Sequence, residues 1–214
     1  MTARSYAGLG KEERIAQRRE RLMDSALVLF SEQGYAKTNI EQLCNHSKVT
    51  ARHFYELFSS KEDLLLALYQ NIIAQLSHAV SDAVSATDQC IEEQVVSAVQ
   101  ALVTHYLQDQ RLARIGVLEV VGVSERMELV RRAAIHGIAR VIESYLNALC
   151  QQAALPARNY ELASIALVGG INELMADWLT RENPCSLNKL SDEITYLVLA
   201  MVRGAQHPLK PSTH

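Results

Sequence analysis

Hydrophobic positions in the first third of the chain follow helical spacing. Ile15, Leu22, Met23, Ala26, Leu27 and Phe30 share one face of a helix of about 20 residues. Gly34 is placed to end it, because glycine tolerates the left-handed turn that closes a helix. The run "TNIE", Thr38 to Glu41, reads as a capping box with Thr38 as N-cap and Glu41 at the third position. The helix it opens carries Ile40, Leu43 and Cys44 and is spent by about His46. After the break "HSK", Thr50 caps a third helix with Phe54 and Phe58 on its inner side. "SSKE", Ser59 to Glu62, is a second capping box and opens a fourth helix running to about Ser85.

The second and third helices are each about seven residues, too short to be stable alone. Neighbours must hold them, and two short helices joined by a tight turn are the length signature of a helix-turn-helix, here over about 39–58. Five longer helices are expected beyond, over roughly 90–108, 111–122, 125–152, 158–182 and 187–204. Alternating strand patterns are few, and Asn-Gly and Asp-Gly hairpin turns are absent. The expected fold is all-α with about nine helices. Residues 12–72 would form a three-helix DNA-binding domain and 73–206 a helical C-terminal domain.

Composition is consistent with this. The 214 residues are 49% hydrophobic, enough for a substantial core. No uninterrupted apolar run reaches membrane-spanning length, so no membrane partner is expected. The N-terminus lacks the apolar stretch of a secretory signal. Cys44, Cys90, Cys150 and Cys185 are far apart, which suits reduced thiols in a cytoplasmic protein, with a redox sensor as the alternative. The formal net charge of −3 argues against a uniformly basic nucleic-acid binder, but its distribution is uneven. Residues 1–23 carry +3, and the chain from Leu65 onward carries −4. A local basic patch serves DNA phosphates even on an acidic chain; the ordinary alternative is a solvated helix face.

The chemistry concentrates in "VTARHFYELF". Val49, Phe54 and Phe58 are expected inside; Ala51, Arg52, His53 and Tyr55 face outward. Arg52 has the geometry to pair bidentately with guanine, and a small residue such as Ala51 lets the helix approach closely. Thr38, Thr50, Tyr55 and Lys61, at helix starts or outer faces, are candidates to clamp phosphates. Each alone would more often cap a helix or be solvated; together, at this spacing, they are a sharper signal.

The segment Ala26 to Leu65 resembles the TetR family of bacterial transcriptional regulators. The matching anchors are Phe30, Gly34-Tyr35, Thr38, Ile40, Val49-Thr50, Tyr55, Phe58, Lys61-Glu62 and Leu64, within a match over about residues 15–72. The resemblance implies double-stranded DNA as partner, an inverted-repeat operator, a homodimer, and a C-terminal domain for ligand binding and dimerisation. Two positions depart from the pattern. Lys48 stands where the family usually has Gly, so the turn must bear a side chain and brings a charge to the DNA face. Arg52 stands where Gly is frequent, so no relative's operator carries over. The preceding "ARSYAGLGKEER" is a candidate minor-groove arm.

Past Asn71 the resemblance is architectural. Polar residues inside apolar runs, His105, Tyr106, Glu119 and Asn172, are the effector-ligand candidates, although each alone is more often simply satisfied or exposed. Gly169-Gly170 interrupts a strong helix at a cost of about 1 kcal/mol each relative to Ala, which suggests close packing. Ile165, Gly169, Gly170, Trp178, Ile194, Leu197 and Met201 are the dimer-interface candidates, with an internal core seam as the alternative. An enzyme reading finds little support: His46, His53, His78, His105 and His136 lack metal-ligand spacing, and there is no phosphate loop or nucleophile elbow. No cofactor is expected. The expectation is a ligand-responsive regulator, a repressor released from a palindromic operator by a small molecule. The alternatives are a helical interaction module, or an activator without a small-molecule inducer.

Overall fold

The computed structural model describes residues 10–86 and 90–206. These residues form nine α-helices and one π-helical turn, with no strand among them. The helices are α1 (Lys11–Gln33), α2 (Ile40–Ser47), α3 (Ala51–Leu57), α4 (Lys61–Ser85), α5 (Ile91–Leu107), α6 (Gln110–Arg114), α7 (Glu125–Gln151), α8 (Glu161–Thr180) and α9 (Leu187–Gln206). The chain divides into two compact units, one ending at Gln70 and the other beginning at Asn71. The single helix α4 runs through that division.

In the first unit α1 packs on α2 and α3, and α2 on α3. Leu22, Ala26, Phe30, Leu43, Phe54, Leu64 and Leu65 are completely removed from solvent. Each large side chain buried this way contributes roughly 1.5–3 kcal/mol. That burial holds an eight-residue α2 and a seven-residue α3, which helix propensity alone would not. Gly34 closes α1 as expected, with φ 91° and its N–H bonded to Phe30 O.

Two caps differ from the expected ones by one residue. The box at α2 is built by Asn39, whose side chain accepts from Gln42 N at 2.9 Å while Gln42 Oε1 accepts from Asn39 N at 2.8 Å. Thr38, the expected cap, is drawn inward instead. At α4 the cap is Ser60 rather than Ser59: Ser60 Oγ accepts from Asp63 N at 3.0 Å. In both pairs neighbouring residues are chemically competent caps, and packing selects the one whose partner shell is free.

In the second unit α7 packs on α8 and α5 on α9, while α6 and the following turn lie against α5 and α8. Leu146, Leu149, Leu155, Tyr160, Val202 and Ala205 join α7, its connection to α8, and α9 in one cluster. The segment expected as a helix over 111–122 is short α6 followed by a π-helical turn, Ile115–Glu119. Gly116 permits it: a Cβ there would lie 2.6 Å from the Tyr106 hydroxyl and 2.8 Å from the Tyr106 ring. The buried phenol occupies the space a side chain would need.

Among the described helices α8 is long and apolar enough to cross a bilayer by length and composition, although Asn172 and Glu173 interrupt its apolar run. Yet α8 buries a stripe of Ser164, Val168, Ile171, Met175 and Trp178 against its own chain, the pattern of a core helix. Trp178 and Ile194 are therefore corrected as dimer candidates. Trp178 is buried and its indole N–H donates to Cys185 O at 2.7 Å; Ile194 is wholly enclosed. Met201 packs on the internal cluster. The outward positions are Gly169, Gly170 and Leu197, with Ile165 half-buried. Leu162, 78% exposed, and Tyr196, 68% exposed, extend that open surface and were not singled out from sequence.

Candidate nucleic-acid interface

Helix α3 presents one face inward and one outward. Val49, Phe54 and Phe58 are 3%, 0% and 4% exposed, so the aromatic pair and the valine lock its inner face. Phe54 also meets the Phe58 and Tyr55 rings, with centroids 5.9 and 5.4 Å apart. Thr50 caps the helix, its hydroxyl accepting from His53 N. On the open side lie Ala51, Arg52 and Tyr55, all exposed, and His53, half-buried. His53 Nδ1 sits 3.0 Å from the Thr50 hydroxyl, so the cap also orients the imidazole.

A carboxylate not singled out from sequence organises this face. Glu56 Oε1 accepts from Arg52 Nε at 3.2 Å, and Glu56 Oε2 is 4.0 Å from His53 Nε2. An exposed pair of this kind contributes little stability. Its effect is geometric: it holds the guanidinium through Nε, an atom not needed for a bidentate grip by the terminal nitrogens. The signal was the spacing of four between Arg52 and Glu56 on one helix face.

An open groove of about 680 Å³ separates α2 from α3, lined in part by Glu41, Asn45, Lys48, Thr50, Ala51 and Tyr55. Lys48 sits at the turn with φ 56° and ψ 36°, in the left-handed conformation expected where relatives use glycine. The chain tolerates that strain and gains a cation on the rim of the groove.

Two expected phosphate contacts are corrected. Thr38 is 1% exposed. Its hydroxyl donates to Gly34 O at 2.9 Å and accepts from Gln33 Nε2 at 3.1 Å, so it ties the end of α1 to the start of α2. The Lys61 ammonium donates to Tyr35 O and to Thr38 O, both at 2.7 Å, and lies 4.0 Å from the centre of the Tyr35 ring. Partial burial pulls its pKa below the ordinary lysine value. Both residues fasten the α1–α2 connection through its backbone carbonyls. The candidate arm over residues 1–9 lies outside the described residues.

Residues 22–68 match the model of the tetR family, bacterial regulatory proteins. That segment is a tetR-type DNA-binding unit. Within it, the chain is similar to the HTH-type transcriptional regulator HbdR of Aromatoleum sp. (strain CIB), at 36% identity over 59 residues. That match covers 28% of this chain and 26% of HbdR. The full-length fold is shared with the fatty acid degradation regulator FadR from Bacillus halodurans, with a TM-score of 0.77 at 17% identity over 94% of this chain and all of that one. FadR from Bacillus subtilis, solved in complex with stearoyl-CoA, superposes with a TM-score of 0.75 at 17% identity over 86% of this chain and 98% of that one. These tetR-family relatives are regulators, and this chain is a DNA-binding regulator with their fold.

In the second unit the effector candidates are only partly gathered. Tyr106 is buried over Gly116, which brings α5 to the π-helical turn that carries Glu119. The Glu119 carboxylate pairs with Arg114 at 3.6 Å. His105 Nε2 is enclosed with no hydrogen-bond partner, and so is Ser164 Oγ on α8, a residue not singled out from sequence. Asn172 is half-buried on α8. A small cavity of about 70 Å³ between α7 and α8 is lined by His136, Arg140, Glu143 and Glu161, among others, and by none of the four candidates.

The inward role of Lys61 makes a prediction. Lys61→Met removes two charge-assisted hydrogen bonds and should destabilise the first unit by about 2–3 kcal/mol in thermal or urea unfolding. The salt dependence of DNA binding should stay unchanged. A slope lower by about one with unaltered stability would return Lys61 to the phosphates.

Proposed function

We propose that the chain is a ligand-responsive repressor that binds an inverted-repeat operator as a homodimer. The observation that carries this reading is the outward face of α3, where Arg52 and His53 stand oriented on a helix whose opposite face is fully buried. Arg52 and His53 read base edges. Ala51 allows close approach, and Lys48, Thr50 and Tyr55 hold phosphates. The test is in-vitro selection of bound duplexes, followed by titration of Arg52→Ala. The variant should lose about 1–3 kcal/mol and its preference at one position of each half-site. Unchanged affinity and preference would overturn the assignment.

One α3 reads too few base pairs to be specific in a genome, which favours two copies on a two-fold site. The open surface of Leu162, Tyr196, Leu197 and the Gly169-Gly170 pair supports α8 and α9 as the place where they meet. A Cβ on Gly170 would meet nothing of its own chain within 4 Å. Gly170→Leu should therefore leave the fold intact and convert dimer to monomer in sedimentation. A variant of unchanged dimer mass would place the interface elsewhere.

The effector reading is supported by His105 Nε2 and Ser164 Oγ, because buried polar atoms in a settled core almost always have partners. A ligand's polar group would satisfy them. Since B. subtilis FadR was solved with stearoyl-CoA, long-chain acyl thioesters are the first class to titrate. Helix α4, 25 residues and about 37 Å long, is the candidate rod between effector and operator. A coupling of about 1–3 kcal/mol would weaken operator binding roughly 5–150-fold, and operator must weaken effector binding equally. Calorimetric titration of stearoyl-CoA with and without operator should give two different affinities; identical values would mean no such switch.

A further inference from the structure

The first half of α1 forms helix without burying anything. From Lys11 to Gln17 every residue is exposed, and the first buried side chain of α1 is Leu22. Even Ile15 is 38% exposed. About two and a half turns therefore stand clear of the core they lead into. The stretch is nonetheless capped, with Glu13 Oε2 accepting from Gly10 N at 2.7 Å, and Arg18 Nε donates to Arg14 O at 3.1 Å.

Its charges are segregated. At about 100° per residue, Lys11, Arg14, Arg18 and Arg21 fall within an arc of about 80°. Glu13, Glu20 and Asp24 fall within about 40° on another side, centred roughly 120° away. The direction of the basic strip is fixed by Ser25, which lies in the same arc. Ser25 Oγ is 2.9 Å from His46 Nδ1, in the last turn of α2 just before the Lys48–Thr50 turn into α3. The strip thus begins beside the helix-turn-helix turn. At 1.5 Å per residue it reaches from about 6 to about 21 Å beyond that contact. From the other side of α1, the Arg19 guanidinium lies 4.8 Å from the Phe58 ring, which fixes the helix against the end of α3.

We propose that the protruding half of α1 is a second, sequence-independent DNA contact, in which Lys11, Arg14, Arg18 and Arg21 hold phosphates outside the segment read by α3. The proposal rests on the reading of α3 as the base-contacting helix. Lys11 to Arg21 spans about 15 Å, the axial length over which one strand of B-DNA presents about four phosphates. Four cations at that spacing, without an acid in their arc, match a phosphate ladder. They carry no base-reading geometry, so they lengthen the footprint without narrowing the sequence.

The test uses the full chain and the duplex recovered by selection, made in two lengths. One extends about ten base pairs past each half-site, and the other is trimmed at the half-sites. Arg14→Gln/Arg18→Gln/Arg21→Gln should lower the slope of log K against log salt by about three per bound chain on the long duplex, at about 0.9 per phosphate. On the trimmed duplex it should match the unaltered protein. Arg14→Lys/Arg18→Lys/Arg21→Lys keeps the charge and should keep the slope. Parallel salt dependences on the long duplex would overturn the proposal and give the strip to some partner other than DNA. Equal loss on both duplexes would overturn its flanking position, and loss in the lysine variant would overturn charge as the cause. Failure of the unaltered protein to bind either duplex would strike instead at the reading of α3.

Discussion

A seven-residue helix cannot hold itself, and the candidate DNA-facing surface depends on the burial that holds this one. Phe54 lies at zero exposure among side chains that α1 and α2 supply, and Val49 and Phe58 fix the two ends of α3 beside it. Because that inner face is locked, the outer face is locked with it, and Arg52 and His53 are presented in one geometry. Base readout depends on such placement, since bidentate hydrogen bonds tolerate little displacement.

The polar residues of the first unit divide into two groups by the same logic. Those beside backbone carbonyls of the α1–α2 connection turn inward: Thr38 and Lys61 donate to them. Those on α3 have no backbone group to serve beyond the cap, so they remain outward and organise one another. Glu56 steadies Arg52, and Thr50 steadies His53. On the proposed DNA-facing surface an acid would repel phosphate, so its presence favours orientation over raw attraction.

The second unit shows a different economy. The apolar helix α8 buries one stripe internally and leaves Leu162 and the glycine pair open. Its core contains two enclosed polar atoms without partners and a π-helical turn shaped around the Tyr106 ring. Such features destabilise a plain structural core, and π-turns recur at functional sites. They are why an effector site is sought here, whereas nothing comparable occurs around α3.

Sequence alone determined the helical class, the short α2 and α3, the inner aromatic pair and the Thr50 cap. All of these follow from local rules: periodicity, capping chemistry and backbone sterics act within a few residues. It also carried the basic strip of α1, since charge spacing on a helix is read directly from residue numbers. Tertiary structure decided the rest. Thr38 and Lys61 turned inward because their partners lie on Gly34, Tyr35 and Thr38, up to 26 residues away along the chain. Trp178 and Ile194 went to the core, while Leu162 and Tyr196 stayed outside, because a helix with apolar residues on several faces does not reveal which face its own chain will cover. That choice is made by neighbouring helices, and no residue spacing within α8 encodes it.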